Sequence, residues 1–226
     1  RPIAAGVCIG LLAYKPQLGL LFPLVLMVSG CWRAFWAAAV TVALFAGLAT
    51  LLLGSDLWLV FLSNTGVVRE VLESGALRWA KMPSAFVFWR TLSVPQTAAY
   101  LLHAAVALAA AVTTLYVWRR TGPTRLAGAT LVCATLLLPP YVFDYELALL
   151  AVPLAVLASD AVRRGASAME KALLALLYVS PPFVAGLAGA AHVQVGFPLL
   201  LLAFGWSARR ALAALPQAVA ERPAAA

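Results

Sequence analysis

Two short stretches of this chain set ionisable side chains in proline turns between apolar runs: Tyr14-Lys15-Pro16-Gln17, and Pro139-Pro140-Tyr141-Val142-Phe143-Asp144-Tyr145-Glu146. In so apolar a sequence such turns lower charge beneath a bilayer surface, and charge kept there points to a functional site. The Lys15 ammonium carries two readings side by side: binding a phosphate, and neutralising Asp144 or Glu146. Asp144 and Glu146 suit an acceptor hydroxyl, with structural pairing as the competing role. They stand two residues apart, so they diverge on a helix and share a face in an extended turn. The rings of Tyr141, Phe143 and Tyr145 can pack on a sugar or an isoprenoid, or form an interfacial aromatic belt. Arg78, Trp79 and Lys81 put cations beside an indole, where a lipid phosphate binds or where ordinary interfacial anchors sit. His103 lies inside an apolar run and reads as a hydrogen-bonded packing residue, and His192 lies at a turn and reads as solvated. The two histidines are far apart and no Asp-x-Asp pair occurs, so neither a metal site nor a cofactor is expected.

The elements that must position these residues follow from composition. Hydrophobic residues make up 64% of the chain and charged ones 11%, which excludes a soluble core. The apolar runs are rich in Ala and Leu without alternation of period two, so they read as membrane helices rather than barrel strands. They fall at Ile3 to Ala13, Leu18 to Val28, Ala34 to Leu53, Thr97 to Val117, Leu126 to Leu138, Leu147 to Ala158, Leu173 to Ala191 and Val193 to Trp206. The fold class expected is all-α: a polytopic transmembrane helical bundle with short broken helices. One membrane domain covers 1–226, with a loop at 54–95 and a tail at 208–226. Within the loop, Asp56 to Arg78 mixes apolar and charged residues as an interfacial helix does, with Gly66 and Gly75 as breaks, and resembles a lid. Cys8, Cys31 and Cys133 show no metal-like spacing and read as packing residues. The chain opens on Arg1-Pro2 without a Met or a signal-like segment, which suggests a piece missing its N-terminal part.

Charge orients the helices. If Arg33 faces the cytoplasm, alternation also puts Arg1, Arg119, Arg120, Arg125, Arg163, Arg164, Lys171, Arg209 and Arg210 there, as the positive-inside rule asks. Lys15, Arg69, Arg78, Lys81 and Arg90 are then exterior, with Arg222 in the tail. The net charge of +8 is accounted for by loops meeting anionic membrane lipid, and nucleic acid is not a partner. The arms flanking each proline turn hold about twelve residues, or about 18 Å, against roughly 30 Å of hydrocarbon. Either the turns are recessed in a hydrated funnel, or the polar ends of the arms extend them. The plainer alternative joins Ile3 to Val28 as one helix kinked at Pro16 with Lys15 snorkelling.

Ala4-Ala5-Gly6 through Lys15-Pro16-Gln17-Leu18 to Pro23-Leu24, and Pro140-Tyr141-Val142-Phe143-Asp144-Tyr145-Glu146-Leu147 through Pro153-Leu154, resemble the corresponding regions of glycosyltransferase family 87. Trp32-Arg33, Gly54 to Trp58 and Lys81-Met82-Pro83-Ser84 follow in the same order, so the likeness extends over most of the chain. The resemblance implies a GT-C-like fold of which this is the C-terminal part. It implies transfer of a hexose, mannose, from a polyprenyl-phosphate donor to a lipid or glycan acceptor at the exterior face of a bacterial plasma membrane. The catalytic carboxylate of that fold lies in the first exterior loop, which would precede this chain, so no residue here is expected to be the base. Better-known members carry histidines where this chain has Tyr145 and Glu146, so their phosphate contacts there need not carry over.

The substrate-binding set expected is Lys15, Gln17, Arg78, Lys81, Tyr141, Asp144, Tyr145 and Glu146. Displacing a polyprenyl phosphate needs a base for the acceptor's proton and cations for the departing phosphate, and no strong acid. A secondary transporter with a midplane substrate site also builds from broken helices; inverted repeats would present the two turns from opposite sides, whereas parallel repeats would not. A non-catalytic scaffold is the third class.

Overall fold

The computed structural model describes residues 1–214, and among them there are helices and no strand. The chain divides into a compact unit Arg1–Trp79 and a second from Ala80 onward. In the first, α1 (Pro2–Gly10) runs into a 3-10 turn, Leu11–Tyr14, followed by α2 (Pro16–Gly19), α3 (Leu21–Val28), α4 (Trp32–Leu53) and α5 (Leu57–Ser74). The second holds α6 (Ala85–Thr91), α7 (Gln96–Thr121), α8 (Arg125–Leu137), a 3-10 segment Asp144–Leu150, α9 (Ala151–Arg164), α10 (Ala168–Val179), a 3-10 turn Pro181–Phe183, α11 (Val184–Ala191) and α12 (Gly196–Ala213). The chain is an all-α helical membrane protein. α4, α7 and the run Asp144–Arg164 are long and apolar enough to cross a bilayer.

The single kinked helix from Ile3 to Val28 does not form. Lys15 adopts φ −139° and ψ 73°, outside the helical region, as the clash with a following proline ring favours. Pro16 then opens a new helix at a position where its missing N–H costs nothing. Pro2–Tyr14 and Pro16–Val28 are therefore two arms, each shorter than a span.

α1 packs along α4 through small residues. A Cβ on Gly6 would stand 2.6 Å from the Ala37 Cβ and collide with the Ala34 carbonyl, and one on Gly10 would stand 2.7 Å from the Ala38 carbonyl oxygen and 2.9 Å from the Thr41 Cγ2. Both pairings advance in the same direction, so α1 and α4 run parallel, as small residues allow when backbones approach closely in lipid. Carried forward alongside the 3-10 turn that also packs on α4, this register leaves roughly eight residues of α4 beyond Lys15, or about 12 Å. Lys15 is thus recessed below the Leu53 end of its own unit. We expect Gly10→Leu to separate the helices and cost about 3 kcal/mol or more, seen as a lowered Tm in detergent; an unchanged Tm would contradict the close approach.

α5 is one helix. Gly66 does not interrupt it, since a glycine inside a long helix costs only about 1 kcal/mol relative to alanine. The break falls at Gly75, whose φ of 72° is left-handed and whose backbone lies under the Trp79 indole. α5 is exposed along nearly its whole length, and Leu72 is its buried residue.

In the second unit α8 is the central helix, buried on almost every side and packed by α7, α9 and α12. Thr124 caps its start, accepting from the Ala127 amide at 3.2 Å, and Pro139-Pro140 stop it, since neither can donate to the preceding turn. The Trp118 indole donates to the Ala127 carbonyl at 2.9 Å, and the His103 Nε2 lies 2.9 Å from the Leu138 carbonyl oxygen. α7 and α8 are therefore antiparallel, and α7 extends roughly seven residues, about 10 Å, past the end of α8. The other arm of this turn takes the second course, extension by its polar ends. The helical run does not stop with its apolar stretch but continues through polar residues from Asp144 to Arg164, 21 residues in all, because capping at Gly165 rather than hydropathy ends it. Only the α8 arm is short.

The apolar run Leu173 to Ala191 is bent by 47° between α10 and the Pro181–Ala191 segment. At the other end, α12 runs through Ala213, beyond the expected start of the tail at 208. Arg222 and the rest of the tail lie outside the described residues.

Candidate functional site

In the first unit the site residues sit at the Lys15 break. Lys15 is half-buried, and its amide donates to the Leu12 carbonyl at 2.8 Å while its carbonyl accepts from Leu18 at 3.0 Å. These bonds close the 3-10 turn on one side and start α2 on the other, so the backbone is held while the side chain leaves a non-helical position. Gln17, also half-buried, follows in the first turn of α2. Arg78 is exposed at the end of this unit, just after α5 is pinned by the Trp79 indole donating to the Leu72 carbonyl at 3.0 Å.

In the second unit α8 delivers the chain into the turn Pro139 to Phe143. Of the two arrangements left open for the carboxylates, diverging on a helix or sharing a face in an extended turn, the first forms, because Asp144 and Glu146 lie in the first turn of a 3-10 helix. Glu146 is 5% exposed and turns back, its Oε2 accepting from the Phe143 amide at 2.7 Å. A backbone amide at a helix start needs such an acceptor. Asp144 stays half-exposed, its Oδ1 accepting from the Tyr145 amide at 3.0 Å. Glu146 thus shapes the turn and Asp144 faces outward. Phe143 and Tyr145 stack, with centroids 5.6 Å apart and planes 7° apart; Tyr145 is exposed and Tyr141 half-buried. His103, buried as expected, meets the Leu138 carbonyl beyond the α8 terminus, where the proline turn prevents a regular helical bond.

The 3-10 turn Pro181–Phe183 packs against Asp144–Leu150. Beside it a cavity of about 530 Å³ is lined by Leu176, Val179, Ser180, Pro182, Phe183, Gly186 and Leu187. Its lining is almost wholly apolar, the surface an aliphatic chain would meet. No sequence signal announced it, because it arises from the bend at Pro181.

Helix directions gather the second unit's polar residues at opposite ends. Asp160 of α9 accepts from Arg210 of α12 at 2.8 Å and from Arg164 at 3.0 Å, so α9 and α12 finish together. The starts of both, the end of α8 and the start of α7 therefore share the other end. Lys81 stands there, exposed, as does the Asp144 turn. Arg119, Arg120, Arg125, Arg163, Arg164, Arg209 and Arg210 lie at the Asp160 end. Asp160 escaped the sequence reading, although its spacing of four from Arg164 was a visible signal.

Among the described residues no three His, Cys, Asp or Glu side chains gather as metal ligands would. The family model for glycosyltransferase family 87 matches residues 1–140. The chain belongs to glycosyltransferase family 87. No curated protein and no solved structure matched it. Membership makes this helical membrane protein a glycosyltransferase, whose partners are a sugar donor and an acceptor. Of the substrate-binding residues expected from the sequence, Lys15, Gln17, Arg78 and Lys81 lie inside the matched stretch. Tyr141, Asp144, Tyr145 and Glu146 follow directly after it.

Proposed function

We propose that this family 87 chain moves a hexose, mannose, from a polyprenyl-phosphate donor to a lipid or glycan acceptor at the exterior face of a bacterial plasma membrane. The observation that carries this reading is a lysine in a broken helix, about 12 Å below the end of its neighbour, within a stretch that belongs to a glycosyltransferase family. A cation at that depth suits the phosphate of a lipid-borne donor drawn below the membrane surface into the site. The clustering of arginines at the Asp160 end of the second unit supports an exterior orientation of that unit's other end, where Lys81 and the Asp144 turn stand, through the positive-inside rule. The apolar cavity at the Pro181 bend suits an isoprenoid.

The reaction breaks the bond between the anomeric carbon and the donor phosphate and forms one to the acceptor oxygen. The acceptor's proton passes to a general base. Charge grows on the phosphate as it leaves and needs a cation; Lys15 and Arg78 are the first unit's candidates for that role, and Lys81 is the second unit's. Gln17 accompanies Lys15, and the stacked Phe143 and Tyr145 with Tyr141 offer faces to sugar or isoprenoid. Asp144 takes the acceptor hydroxyl, and Glu146 holds the turn that presents it.

Transfer of radiolabelled mannose from polyprenyl-phosphate mannose in isolated membranes tests the assignment. Asp144→Ala is expected to lower it at least about tenfold, the worth of a hydrogen bond to a charged group, with normal membrane insertion. An unaltered rate would remove Asp144 from the site.

A further inference from the structure

We propose that Gln194 is a positioning residue that clamps the Lys81 turn. The clamp is a geometric claim; its consequence for donor binding rests on the phosphate role given to Lys81 above. Gln194 is 0% exposed, although an amide is costly to bury and an apolar side chain would fill the same space. Both ends of its amide are engaged. Its Nε2 donates to the Ala80 carbonyl at 3.1 Å, and its Oε1 accepts from the Gly196 amide at 2.8 Å. Its own backbone amide donates to the Thr91 hydroxyl at 3.2 Å, which in turn donates to the Phe88 carbonyl at 2.7 Å. One side chain thus ties the residue before Lys81 to the start of α12, and its backbone ties that start to the end of α6.

A second contact presses the same segment into place. A Cβ on Gly196 would collide with Pro83 and come within 2.8 Å of the Val184 Cγ1, so the backbone of α12 begins flush against the stretch following Lys81. Met82 is 0% and Ser84 2% exposed, and Ser84 caps α6 by accepting from the Val87 amide at 3.2 Å. Between the clamped Ala80 carbonyl and the buried Met82, Lys81 alone is exposed. The arrangement fixes the backbone on both sides of a single outward cation. Such support is what a charged group needs to meet a ligand at a defined point, and its absence leaves the group present but loose.

The test uses the whole protein in lipid nanodiscs, with Cys8, Cys31 and Cys133 replaced by Ala and a nitroxide on Lys81→Cys. Gln194→Met keeps the volume and removes both amide bonds. The label should be immobilised with Gln194 and mobile with Met, while a control label on Leu201→Cys is unchanged. Equal mobility at position 81 in both proteins, or equal loosening of both labels, overturns the clamp. In unlabelled protein, Gln194→Met should raise the KM for polyprenyl-phosphate mannose about three- to tenfold, the scale of one hydrogen bond, and should have no further effect in a Lys81→Ala background. The same rise in both backgrounds means general packing and overturns positioning through Lys81. If the label loosens while Lys81→Ala leaves the donor KM untouched, the clamp stands and the phosphate role of Lys81 falls.

Discussion

Lys15→Ala is expected to lower sugar transfer about a hundredfold, the usual cost of removing one preorganised group that stabilises developing charge. Lys15→Arg keeps the charge but spreads it over a planar fork, so it should recover only part of the rate. The recess makes the effect large. At a solvated surface one ammonium among several is easily replaced, whereas roughly eight residues of α4 rise past Lys15. Membrane insertion and Tm should change little if the ammonium serves the phosphate. If it serves instead to neutralise a buried carboxylate, Lys15→Ala lowers Tm together with activity, and a second substitution removing that carboxylate restores stability. Full transfer with Lys15→Ala would sink the site.

The other large effect lies where α9 and α12 of the second unit finish, and concerns stability. Asp160 and Arg210 have side chains only 11% and 12% exposed and approach to 2.8 Å. Arg164 joins both Asp160, at 3.0 Å, and Glu170, at 2.8 Å. Exposed pairs are worth little, but removing one partner of a buried pair strands the other. Asp160→Ala should therefore cost about 3 kcal/mol, read as a fall in Tm in detergent, while Asp160→Asn, which retains an acceptor oxygen, should cost less. The double variant Asp160→Leu with Arg210→Met should regain most of the loss, since a hydrophobic pair of similar volume often replaces a buried ion pair without penalty. A Tm unaffected by Asp160→Ala would show the cluster to be solvent-screened.

Glu146 shows where sequence reasoning stopped short. Its type and spacing marked it as a substrate contact beside Asp144, and both readings of the pair, diverging or sharing a face, depended on a backbone conformation that two prolines and three aromatics do not dictate. Once the segment forms a 3-10 helix, its first amides need acceptors, and Glu146 is the residue three positions on that can return to Phe143. The length of the following arm was left open between recess and extension for a related reason: hydropathy marks where a helix is greasy, while caps mark where it ends. In sequence Gln194 sits unmarked inside the apolar run Val193 to Trp206, because its partner Ala80 lies 114 residues away.

Membrane residence, the helical class, the Lys15 break and the segregation of arginine were all legible in the order of residues, since each rests on composition, local sterics at proline or charge in short loops. The depth of Lys15, the inward turn of Glu146, the bend-lined cavity and the burial of Asp160 and Gln194 depend on which helices lie side by side and in what register. Registers here are set by contacts such as Gly6 against Ala34 and Gly196 against Pro83, where a backbone approaches because a side chain is missing, and no local pattern along a chain says which distant partner will fill that space.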